Sequence, residues 1–120
     1  MYNSEEEIER LVRDFEGCTI PAADFHHRQH LVVAVWYLQT LSPAETVSRM
    51  RAALLRFLDH HGVDRKKYSE EITVFWVDAI ASHLERTSAE ASLVDKCNQV
   101  IGALVSSTVR TPATRVEAAE

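Results

Sequence analysis

Residues 24–38 read DFHHRQHLVVAVWYL, three histidines at the mouth of a run, LVVAVWYL, that is apolar on nearly every face. A helix apolar all round belongs inside a bundle or at a contact between copies. A second run of the same kind follows at 72–84, ITVFWVDAIASHL. Around them lie amphipathic segments that carry charges such as Arg49, Arg51 and Arg56 on the outer face. No strand competes, and three glycines with no internal repeat leave short connections. The expected fold is all-α, an antiparallel up-and-down helical bundle of about five helices built around the second and fourth.

Helix limits are legible as well. A Ser or Thr followed three residues later by Glu occurs at Ser4–Glu7, Ser42–Glu45 and Thr87–Glu90. In this capping box the hydroxyl and the carboxylate satisfy backbone donors at the first turn. Pro43 supports the second example, because its preset φ suits the first helical position and its missing N–H is not needed there. Asp24 and Ser69 are softer starts, and Gly17 and Gly62 stand where a chain takes the left-handed conformation past a helix end. The expected helices span 5–16, 25–40, 43–61, 70–86 and 88–108. A single domain then covers 1–107, and TVRTPATRVEAAE, from Thr108, has no core pattern and reads as a disordered tail.

A chain of 120 residues holds one core. With 46% hydrophobic and 26% charged residues it has the balance of a soluble globular domain. A formal net charge of -5, with no basic run beyond Arg65-Lys66-Lys67, argues against a nucleic-acid partner. Cys18 and Cys97 are too isolated for a disulfide framework and read as free thiols of a reducing compartment. The acidic start, MYNSEEEIER, is unlike a targeting segment, and no apolar run approaches the roughly 18 residues of a membrane span. The expected location is cytoplasmic, with no membrane partner.

If helices two, three and four alternate in direction, the second and fourth begin at the same end. His27 and His30, Tyr68, Glu70 and Glu71, and the His60-His61 pair then gather there. His27 and His30 are three apart on one helical face, so their rings can converge on one ion. With Glu70 as third ligand the set suits a divalent metal, Fe, Mn or Zn. Glu71 or Tyr68 would then move protons, with His26 and Thr73 behind the ligands. The positive end of the helix dipole keeps His27 and His30 neutral, the form that ligates metal or accepts a proton.

Plainer readings stand beside these. A polar helix start can be His-rich by itself, and acidic residues such as Glu70 and Glu71 are ordinary in a first turn. Thr73 can bond back to its own helix. Trp36, Tyr37, Phe75 and Trp76 lie at helical spacing inside apolar runs, as core residues do. Asp78 interrupts FWVDAIA and must be paired, at a bundle edge or functional, with pairing to Arg86 or an arginine of helix three the plain explanation.

These residues also carry a resemblance. Phe25, His27, His30 and Leu31, then Tyr68, Glu70, Ile72, Thr73, Phe75 and Trp76, resemble small, mostly uncharacterised bacterial helical proteins with an early HxxHL and a later YHETIT-like string. The likeness spans about residues 24–85 and implies a helical fold in which the two segments form one site. No activity comes with it. Where such sequences commonly have His after the Tyr, this chain has Ser69, so a ligand at that place would have to be replaced by Glu70, Glu71 or His26.

Three functions follow as expectations. One is a small metalloprotein, or a metal-dependent enzyme on a small polar substrate. A second is a metal-free enzyme or binding module for an anionic small molecule, with a neutral imidazole as base. The third is a homodimeric interaction protein that buries the surplus apolar faces of helices two, four and five.

Overall fold

The computed structural model describes residues 2–88 and 90–105. Among these the chain forms five α-helices and no strand: α1 (Glu5–Glu16), α2 (His27–Leu38), α3 (Pro43–His60), α4 (Glu70–Glu85) and α5 (Leu93–Val100). Short 3-10 turns at Ala22–Asp24 and Arg65–Lys67 precede α2 and α4, and a π-helical turn, Ile101–Val105, continues α5. The all-α bundle is as the periodicity predicts. The expected tail from Thr108 lies outside the described residues.

Caps explain where the helices begin. Ser42 Oγ accepts from the Glu45 N–H at 3.1 Å while Glu45 Oε1 accepts from the Ser42 N–H at 3.0 Å, a complete capping box. At α1 the Ser4 hydroxyl accepts from the Glu7 N–H at 3.2 Å, but the Glu7 carboxylate accepts from Asn3, one residue earlier than the motif predicts. Ser69 caps α4 by accepting from the Ile72 N–H at 3.2 Å. The fifth helix departs from the Thr87–Glu90 expectation. Thr87 donates its hydroxyl to the His83 carbonyl at 3.0 Å, closing α4, and Ser92 caps α5 by accepting from Asp95 at 3.0 Å. A Ser/Thr-rich link offers several competing hydroxyls, and the one that faces the free N–H groups wins. Gly62 takes the left-handed conformation, φ 69°, but Gly17 does not; its neighbour Cys18 does, at φ 61°.

The second helix is the spine. Leu31, Val32, Val33, Ala34 and Val35 are all buried, and they divide between two clusters. One side meets Ile8 of α1, Ile80 of α4 and Cys97 and Val100 of α5. The other meets Val12 and Phe15 of α1 and Met50, Ala53 and Phe57 of α3. Phe25, just before α2, stacks on Phe15 with centroids 4.4 Å apart and so pins the start of α2 against α1. The fourth helix is apolar in sequence to the same degree, yet only Val77 and Ile80 are buried and Val74 is exposed. Asp78 is exposed too, which accounts for a carboxylate in that run without a buried partner. No described helix is long and apolar enough to cross a membrane.

Candidate functional site

A cavity of about 50 Å³ opens where α2, α3 and α4 meet. From α2 it is lined by His27, His30, Leu31 and Ala34, from α3 by Met50 and Leu54. Thr73 and Trp76 of α4 face them, with Ile72, Val77 and Ile80. The early turns of α2 and the stretch of α4 from Ile72 to Ile80 therefore share one set of walls. The walls are apolar except for two imidazoles, the Thr73 hydroxyl and the Trp76 indole. Their volume admits a few waters or a small organic fragment.

The histidines differ in setting. The His27 ring packs edge-on against Trp76, centroids 4.5 Å apart. The His30 ring lies against Phe25 at 4.6 Å, and among the described residues the ring makes no hydrogen bond. Burial, and then the neighbouring His27 and His26 imidazoles, push the His30 pKa from 6.5 down to about 3. It is neutral at physiological pH, as the helix-end argument predicts, but the chief cause is loss of water rather than the dipole. His26 itself is exposed at the N-cap of α2, outside the lining, and its backbone N–H donates to Gln29 Oε1 at 2.8 Å.

The carboxylate expected to join the histidines is engaged elsewhere. Arg51 of α3 grips Glu70 with both arms of its guanidinium, Nε to Oε1 at 2.8 Å and Nη2 to Oε2 at 2.6 Å. The Tyr68 hydroxyl donates to Glu70 Oε1 at 2.6 Å. These bonds hold the Glu70 carboxyl down at about 2. Burial and the bond to Glu70 raise the Tyr68 phenol to about 12, and the Thr73 hydroxyl beside it offsets part of that. Thr73 also donates to the Ser69 carbonyl at 2.9 Å, the bond within its own helix that its position allowed. Glu71 is exposed and does not line the cavity.

The structure thus gathers His27, His30 and Thr73 at one cavity and sets Tyr68 and Glu70 in a separate polar chain beside it. His60 and His61 do not line it; the His61 ring packs on Phe57 at 4.5 Å. Among the described residues no group of three or more His, Cys, Asp or Glu is arranged to hold a metal ion. The donors that line the cavity are two imidazoles, and the expected third ligand, Glu70, is held by Arg51. One participant escaped the sequence, Arg51, read as an outward charge; Trp76 packs against the core as its spacing predicts and also walls the cavity. For Arg51 the signal was weak, its place three residues before Leu54, which lines the cavity. Neither the family models, nor the curated proteins, nor the solved structures compared with this chain give a match.

Proposed function

We propose that the chain is a small-molecule binding module, cytoplasmic and with both cysteines free, whose ligand enters the cavity between α2, α3 and α4. The ligand is largely apolar and carries one hydrogen-bonding group that meets His30. The observation that carries this reading is His30 itself, an imidazole held neutral on the wall of an apolar cavity with no hydrogen bond from the described protein. On the same wall the Trp76 indole N–H is buried with no hydrogen-bond partner among the described residues, and such a group calls for a partner from outside the chain, ligand or water. Binding is favoured over acid-base chemistry because a general base works best with a pKa near the operating pH, and a value of about 3 is far below it.

The test is a two-dimensional NMR titration of the imidazole and indole signals with small neutral amides and alcohols of three to six carbons. The expected result is a saturable shift at His30 and Trp76, absent from a folded His30→Leu variant. No saturable shift with any probe, or the same Trp76 shift in the variant, overturns the reading. Zn(II) and Mn(II) are titrated in parallel. One equivalent bound, and lost when His27 and His30 are both changed to Ala, would make the histidines ligands and return the site to metal chemistry.

A further inference from the structure

The polar chain beside the cavity has the shape of a carboxylate seat that is already filled. Arg51 presents a planar fork, and both of its arms reach the two oxygens of Glu70 at 2.8 and 2.6 Å. Tyr68 adds a third donor at 2.6 Å to the same carboxylate. This seat adjoins the cavity through Tyr68, whose phenol lies beside the Thr73 hydroxyl of the cavity wall. Arg51 is flanked on α3 by Met50 and Leu54, Glu70 lies one turn before Thr73 on α4, and Met50, Leu54 and Thr73 are cavity walls. The pair is close to half exposed, 44% and 46% of the side chains, so water screens it and exchange for another carboxylate costs little. The remaining walls are mainly apolar, Leu31, Ala34, Met50, Leu54 and Ile80 among them.

We propose that Glu70 occupies the seat of the ligand's own carboxylate, so that the ligand is a short monocarboxylic acid whose chain enters the cavity while its acid group exchanges with Glu70 on Arg51 and Tyr68. This rests on the cavity reading above and deepens it: besides the group that meets His30, the ligand carries a carboxylate at the Arg51 end, and pentanoate probes that second contact alone. A volume of about 50 Å³, at roughly 10–15 Å³ for each water-sized occupant, takes a tail of about three to five heavy atoms. Glu70 then acts as a built-in competitor. It leaves the acid-binding fork paired when no ligand is present and sets the affinity by the strength of its own bonds.

The experiment compares pentanoate with pentanamide, matched in length and differing in charge, by calorimetry on the full chain and on folded Glu70→Gln, Arg51→Gln and Arg51→Lys variants. Pentanoate is expected to bind at least tenfold tighter than pentanamide in the parent. Glu70→Gln is expected to strengthen pentanoate a further tenfold or so and leave pentanamide unchanged. Arg51→Gln should erase the preference, and Arg51→Lys, which keeps the charge but not the fork, should keep only part of it. Pentanamide binding as tightly as pentanoate, or pentanoate indifferent to Glu70→Gln, overturns the carboxylate seat while leaving the cavity reading intact. Binding of neither ligand to any variant overturns both.

Discussion

His30 and Glu70 were expected to hold one ion together, and the bundle treats them in opposite ways. His30 is half-buried, neutral and without a hydrogen bond from the described residues. Glu70 is wet, charged and held by three hydrogen bonds. Both protonation equilibria are displaced downward, yet one shift comes from removing water and the other from adding partners. Residue type alone does not tell a site from its surroundings. The desolvated group is the one that lacks a partner, and it marks the cavity as the place where something binds.

The sharpest way to break the contrast is to wet His30. Leu31 is 1% exposed and walls the cavity beside it, so Leu31→Ala should destabilise the fold by about 2–5 kcal/mol while enlarging the space next to the ring. Denaturant unfolding measures the first effect. An NMR titration should find the His30 pKa moved up toward 6.5, and a value unmoved by the larger cavity would mean that burial is not its cause.

Next in size is the pH dependence that His30 imposes. The unfolded chain takes this proton near pH 6.5 and the folded chain only near 3, so between those values the unfolded state binds more protons. Stability from this group is full above pH 6.5 and falls as the pH drops through the window, by up to about 1.4 kcal/mol per pH unit. Between pH 7 and 5 that amounts to about 2 kcal/mol. His30→Leu should flatten the profile by this amount relative to the parent. Parallel profiles would show that the imidazole is hydrated in the folded protein.

How much of this was legible in the sequence depends on whether the signal was local. Ser42, Ser69 and Gly62 were readable because a cap or a left-handed turn is decided by a few adjacent residues. The two all-apolar helices were readable as core elements, but their unequal burial was not. Nothing in ITVFWVDAIASHL says that Val74 faces outward while Val32 of LVVAVWYL is enclosed, since that depends on how many neighbours each helix has. Likewise His27, His30 and Thr73 were found by spacing, whereas the engagement of Glu70 by Arg51 joins residues 19 apart on different helices. A carboxylate in a first helical turn looks the same in sequence whether it is free to bind metal or already held.

The smallest expected effect addresses that engagement. Tyr68→Phe removes one of the three bonds to Glu70 and leaves the Arg51 fork in place. In so exposed a setting the loss of stability should be about 0.5 kcal/mol, the low end for a hydrogen bond. The carboxyl titration should report it more clearly. Glu70 contributes stability above its unfolded pKa near 4.5 and loses it as the pH falls toward about 2. With the phenol gone its pKa should move partway back toward 4.5, and the acid-sensitive window should narrow from below. An unshifted Glu70 would assign the whole depression to Arg51, and Tyr68 would then be no part of the seat that the ligand's carboxylate is proposed to share.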